Sequence, residues 1–171
     1  MKPRLGGSQL GRQYYAAVHK LSRCFLDTET RRFYTSPSLP ARRADLREVR
    51  VIKPESREIE VASGEMRRVA GVSLGLVGAQ GIHLALAEIP PGKSSTPHRH
   101  TNCESAIYVL RGKGRFMVGE DLKKAIEFGP GDFIYVPQNS LHQPVNDGNE
   151  EIELIVARNS PVEEVEEYEG D

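Results

Sequence analysis

The stretch Gly92-Lys93-Ser94-Ser95-Thr96-Pro97-His98-Arg99-His100-Thr101-Asn102-Cys103-Glu104 carries two of the chain's five histidines, spaced two residues apart. On an extended backbone, side chains at i and i+2 share a face, so His98 and His100 project toward one point. Glu104 joins them only if the chain turns back. Four further residues at about 3.3 Å each would carry it roughly 13 Å past His100, whereas metal–ligand bonds are about 2.0–2.2 Å long. A bend through Thr101-Asn102-Cys103 meets that need, and Asn102 suits it. A strand then runs from Glu104 through Ile107-Tyr108-Val109-Leu110.

A second stretch, Gly131-Asp132-Phe133-Ile134-Tyr135-Val136-Pro137-Gln138-Asn139-Ser140-Leu141-His142-Gln143-Pro144-Val145-Asn146, reads as a strand, a proline-containing turn and a histidine that opens the next strand. Three neutral imidazoles and one carboxylate are a donor set for one divalent transition metal per chain, whether Mn, Fe, Ni, Zn or Cu. Octahedral geometry would leave two positions open for water, substrate or dioxygen. A lone histidine in a strand is more often a hydrogen-bonded structural residue than a ligand. That is the reading for His19 and for His83, the second of which is also a weak candidate for lining a cavity. The metal reading of His98, His100, Glu104 and His142 rests on all four falling inside two Gly/Pro-framed segments.

Outward from these segments, the chain from about residue 48 alternates short β-branched and aromatic runs with Gly/Pro/Asn punctuation. The runs are 49–52, 68–76, 83–89, 105–110, 114–118, 124–128, 132–136, 143–146 and 152–157, and no helical period interrupts them. Pro90-Pro91-Gly92, Gly112-Lys113-Gly114, Gly129-Pro130-Gly131 and Asn146-Asp147-Gly148-Asn149 mark turns. This density of short strands predicts an all-β sandwich or barrel rather than an α/β plan.

The two framed stretches together resemble the paired signature motifs of the cupin superfamily. The first follows Gly, five residues, His-x-His, three residues, Glu and a Gly soon after the strand, here Gly112. The second follows Gly, five residues, Pro-x-Gly, two residues, His, three residues and Asn. The likeness spans roughly residues 68–158 and is specific in its ligands. Two positions depart from it. Gly112 lies one residue later from Glu104 than the commonest pattern, which predicts a slightly different turn with the ligands in place. Asn139 stands where the second motif has its middle glycine, and asparagine is the next-best residue for a left-handed backbone.

The resemblance implies a double-stranded β-helix, or jelly-roll barrel, with a metal and a small-molecule ligand inside its mouth. It also implies a homodimer paired through N-terminal strands, for which residues 49–69 are the candidates. Metal-binding members of the superfamily include dioxygenases, oxalate-degrading enzymes, sugar-phosphate isomerases, lyases, and sensory or storage proteins, and the fold does not choose among them. The expectation is a metal-dependent oxidoreductase, isomerase or decarboxylase acting on an oxygen-rich acid or sugar derivative. The alternative is a non-catalytic metal- or ligand-binding or sensing module. No catalytic residue is assigned. Tyr108, Phe116, Phe133 and Tyr135 read first as core and second as pocket wall. Arg99 and Gln143 flank the ligands but alternate away from them, and nothing near Cys103 in sequence lowers its pKa.

The two ends differ from the body. Residues 1–50 hold eleven Lys/Arg against four Asp/Glu, and residues 51–171 hold twelve against twenty. The basic leader, residues 1–47, has three readings: a disordered arm, an organelle-targeting segment, or a nucleic-acid-binding arm. Its dispersed charge disfavours the last, so no nucleic-acid partner is expected. The domain is expected over residues 48–160, followed by an acidic tail, 161–171, read as a solvated end or a short surface helix. No run approaches the roughly 18 apolar residues of a membrane span. Two cysteines, Cys24 and Cys103, set no disulfide framework, and no secretory signal core is present. A soluble protein in a reducing, cytoplasmic setting is therefore expected, or an organellar one if the leader is a transit segment.

Overall fold

The computed structural model describes residues 48–168; the leader, with His19 and Cys24, lies outside them. The described chain forms strands β1 (Glu58–Glu60), β2 (Arg67–Val72), β3 (His83–Ile89), β4 (His98–His100), β5 (Ser105–Arg111) and β6 (Gly114–Val118). These are followed by β7 (Lys124–Phe128), β8 (Phe133–Val136), β9 (His142–Val145), β10 (Ile152–Arg158) and β11 (Val165–Glu167). All pairings are antiparallel, in a six-stranded sheet ordered β1-β2-β3-β10-β5-β8 and a five-stranded sheet ordered β11-β4-β9-β6-β7. This is the all-β architecture of a double-stranded β-helix.

The inward face of the larger sheet is built in cross-strand rows. Ile89 pairs with Ile152; Ala87 with Leu154, which also faces Val109; Ala85 with Val156, which also faces Ile107. These side chains alternate with outward ones, as period-two burial demands, and Phe116, Phe128 and Val136 join them in one apolar cluster. The next row breaks the pattern. It reads His83–Arg158–Ser105, all three buried and all three polar. One end of the barrel is dry and the other is furnished for chemistry.

Two turns hold this frame. Gly112 has φ +78, and an added Cβ would stand 2.6 Å from the Glu151 carbonyl oxygen, so only glycine fits. Asn139 has φ +62, the left-handed backbone expected of it. Asn146, fully buried, donates to the carbonyls of Ile89 (2.7 Å) and Glu150 (2.8 Å) and accepts from the Gly148 amide (3.1 Å). It thereby fastens the β9–β10 loop to the core.

The structure departs from the sequence reading at three edges. Residues 49–52 make no strand; the N-terminal edge strand is Glu58–Glu60. The run 68–76 ends early, because Ser73 caps a single helical turn, α1 (Leu74–Val77), by accepting from the Leu76 amide, and Gly78 closes it in the left-handed region. The acidic tail is a third difference: Val165–Glu167 pairs with β4, the strand that carries His98 and His100. No helix among the described residues is long and apolar enough to cross a membrane.

Candidate metal centre

β4 presents His98 and His100 on one face, and β9 opens with His142, the register partner of His98. One ring nitrogen from each lies within 4.8 Å of those of the other two. The ring centroids stand 4.5–5.4 Å apart. The second ring nitrogens are occupied or faced by oxygen. His98 Nδ1 donates to the Thr96 carbonyl (2.6 Å) and His142 Nδ1 to the Ser140 carbonyl (2.9 Å), while Glu163 Oε2 lies 3.4 Å from His100 Nδ1. The two carbonyls fix the tautomers of His98 and His142 and leave Nε2 of each as the ligating nitrogen.

Burial keeps these rings neutral. It holds His100 down at about 3, helped by the neighbouring His98 and His142. It holds His142 at about 4, with His98 adding to the effect. His98 is also lowered by burial, against its hydrogen bond to Thr96. Three unprotonated imidazoles with converging nitrogens, those of His98 and His142 buried and that of His100 partly so, fit a divalent first-row metal, because ligation requires the neutral base.

Glu104 is not part of this cluster. It is exposed, and its carboxylate accepts from the Tyr135 hydroxyl (2.7 Å) and the Asn159 amide (3.2 Å). The physical reason is strand parity. Counting back from the buried Val109 and Ile107, the inward residue is Ser105, and a one-residue offset turns a side chain to the opposite face. Ser105 is buried and lines the cavity beside the triad. The signal was present in the sequence as the one-residue displacement of Gly112 from Glu104.

The cavity at the triad measures about 70 Å³, room for a few waters or a ligand of a few heavy atoms. Ile107, Phe116, Val136 and Val156 give it apolar walls. Its polar wall includes Arg68, Arg158 and Glu163, which Glu60 and His83, outside the lining, join into a closed ring. Arg68 Nε donates to Glu60 (2.7 Å), and Arg68 and Arg158 both reach Glu163. Arg158 also donates to His83 Nδ1 (3.0 Å), and His83 Nε2 donates to Glu60 (2.8 Å). The arginine can only donate, so the His83 proton sits on Nε2 and the ring is neutral. Burial pushes the Glu60 carboxyl up, but the His83 hydrogen bond and the Arg68 charge outweigh it and hold the group below its ordinary range.

Sequence reasoning missed Glu60, Arg68, Arg158 and Glu163. Arg158 alone had a visible signal, since it continues the inward phase of Ile152, Leu154 and Val156. His83 is buried within this ring and does not line the cavity. Among the expected wall residues, Phe116 is buried with its ring 5.9 Å from that of His142. Phe133 and Tyr135 are exposed instead, along a groove of about 450 Å³ between β7 and β8 that reaches His142. Tyr108 packs its ring on Phe133 at 4.8 Å. Arg99 points toward Glu120 at 4.0 Å and Gln143 donates to the Ser95 carbonyl at 2.9 Å, both turned from the triad. Cys103 is buried, and burial raises its pKa.

Comparison with known proteins agrees with this geometry. Residues 85–158 match the family model for the cupin domain. The chain is similar to auxin-binding protein 1 of Arabidopsis thaliana, 32% identical over 92 residues, which cover 50% of this chain and 46% of that protein. The chain thus spans about half the length of that relative. Among solved structures it is similar to the polyketide cyclase RemF of Streptomyces resistomycificus, with a TM-score of 0.62 and 22% identity over 72% of this chain and 88% of that one. It is also similar to the oxalate decarboxylase of Lactobacillus farciminis, with a TM-score of 0.56 and 21% identity over 66% of this chain and 34% of that one. At these identities the two structures speak for the fold.

Proposed function

The chain belongs to the cupin superfamily, and from that premise we propose that it is a metal-dependent enzyme of small oxygen-rich acids or sugar derivatives. One divalent metal would be held by His98, His100 and His142, with Ser105 in place of an inward carboxylate and Glu104 outside the set. The observation that carries this reading is the convergence of three imidazoles, two buried and one partly buried, whose other nitrogens are tied or faced by oxygen. A metal bound there would act as a Lewis acid or a redox centre. The chain's own residues would do the rest: the aliphatic wall excludes water, Ser105 offers a hydroxyl, and the charged ring sets the field of the cavity.

A second reading, a module that holds its ligand without turnover, is favoured by the enclosure of the triad in so small a cavity. Elemental analysis of the purified parent beside a His98→Ala/His100→Ala variant tests the centre, with one equivalent expected in the parent and none in the variant. NMR of a panel of small carboxylates and sugar acids mixed with loaded protein then separates the readings. New product signals support the enzyme; ligand broadening without product supports the binding module.

We also propose that the chain works as a homodimer paired along β1. Ile59, on the edge strand of the larger sheet, and Val61, just after it, are apolar and 87% and 93% exposed, the kind of edge that another strand covers. Sedimentation of the parent against Ile59→Lys would test this, with a lighter species expected for the variant.

A further inference from the structure

Glu163 lines the cavity from the chain's last described segment, residues 159–168, a strap that runs from β10 to the edge of the smaller sheet. Its side chain is 7% exposed and sits between two guanidinium groups, those of Arg158 (3% exposed) and Arg68 (18% exposed). The strap is held largely by polar contacts. β11 pairs with β4, the Thr101 amide donates to the Glu164 carbonyl (2.9 Å), Asn102 bonds both the Glu164 amide (2.8 Å) and the Val162 carbonyl (3.0 Å), and the Tyr168 amide donates to Pro97 (2.9 Å). All three residues of β11 are exposed. Such an element buries little apolar surface, so what holds it closed is chiefly the pairing of Glu163 with the two arginines, which an incoming carboxylate would replace.

The charge balance shows what opening would leave. The ring has four ionised members, Arg68 and Arg158 against Glu60 and Glu163. Glu60 sits on β1 and stays with Arg68 and His83 when the strap moves. With Glu163 withdrawn, the buried Arg158 and the partly buried Arg68 would face Glu60, beside three neutral imidazoles. The vacated space has the outline of the lost side chain, a short carboxylic acid, and guanidinium groups match a carboxylate by paired N–H donors.

We propose that Arg68 and Arg158 form a binding site for a small carboxylate, and that Glu163 is its tethered stand-in, displaced when the strap opens and the ligand's carboxylate enters. The incoming carboxylate takes the place opposite His100 Nδ1, so anion binding is felt at the metal-binding face. As an assignment of substrate class, this rests on the metal-centre reading; the anion site itself stands on the arginine pair.

The test uses acetate as the probe and acetamide as its neutral isostere, titrated by NMR into metal-free and metal-loaded full-length protein. Glu163→Gln removes the competing charge while keeping the side-chain shape, and is expected to bind acetate at least tenfold more tightly than the parent, with no gain for acetamide. Stapling the strap to β4 with Arg99→Cys/Glu166→Cys, register partners facing away from the triad, is expected to lose acetate binding when oxidised and to regain it on reduction. Thermal melts of each variant confirm that folded protein is compared. Equal acetate affinity in parent and Glu163→Gln, equal gains for acetamide, or unchanged acetate binding in the oxidised staple would each overturn the proposal. Acetate binding without metal uptake by the parent would leave the anion site standing and remove the metal reading. Metal uptake without acetate binding would do the reverse.

Discussion

At the Ile89–Ile152 end of the larger sheet, the inward rows of β3, β10 and β5 are aliphatic, and each side chain is placed by alternation alone. At the His83–Arg158–Ser105 end the same strands, in the same phase, bury an imidazole and deliver a guanidinium and a hydroxyl into a cavity shared with three histidines. The dry end is held by non-directional burial. The polar end is held by pairings whose loss leaves a charge stranded. The comparison teaches that one strand pattern can build a core and a site at once, with the change of residue type along a strand marking the border.

Substitutions at the two ends should differ in size and in kind. Arg158→Ala would leave the buried Glu163 with Arg68 alone and take the donor from His83 Nδ1, and is expected to cost the most, about 3–5 kcal/mol, read by urea denaturation. Leu154→Ala in the dry end should cost about 2–5 kcal/mol, with metal content of the folded fraction unchanged. An Arg158→Ala variant as stable as the parent would show that the charged ring is ornamental. A Leu154→Ala variant that folds but loses metal would show that the two ends are not separable.

The pH response sharpens the same contrast. Because His100 and His142 are held near 3 and 4 by burial, the unfolded chain binds more protons than the metal-free folded one as pH falls from the ordinary histidine value of 6.5. Stability contributed by the neutral rings is therefore present above pH 6.5 and is lost progressively as pH falls toward 3–4. Urea midpoints of the metal-free protein at pH 7, 5.5 and 4.5 should decline in that order, and the Leu154→Ala variant should decline in parallel. The smallest effect expected is for Glu104→Ala. Its surface contacts with Tyr135 and Asn159 make a loss of about 0.5–1 kcal/mol the expectation.

Most of the dry end was legible in the sequence. Residues 83–89, 114–118 and 124–128 coincide with β3, β6 and β7, because turn signals bracket runs of clear β character. The three histidines were legible because i, i+2 spacing and matched turn frames are local signals. Glu104 was misplaced by one residue of strand parity, which the neighbouring glycine betrayed. The charged ring was out of reach for a different reason. Arg68 meets Glu163 across 95 residues of sequence and Arg158 meets His83 across 75, and no local pattern announces such a pairing. An acidic stretch such as 161–171 reads as solvated until a partner is known, and Glu163 finds its partners in Arg68, far away in sequence, and Arg158, at the end of β10.

The central claim is a metal centre of three histidines without Glu104. Its most direct test is metal content of three proteins prepared side by side: the parent, Glu104→Ala and His142→Ala. The account predicts close to one equivalent in the parent and in Glu104→Ala, and a loss of most of it in His142→Ala. A Glu104→Ala variant that loses metal as completely as His142→Ala would contradict the account, and would place the carboxylate back in the ligand set.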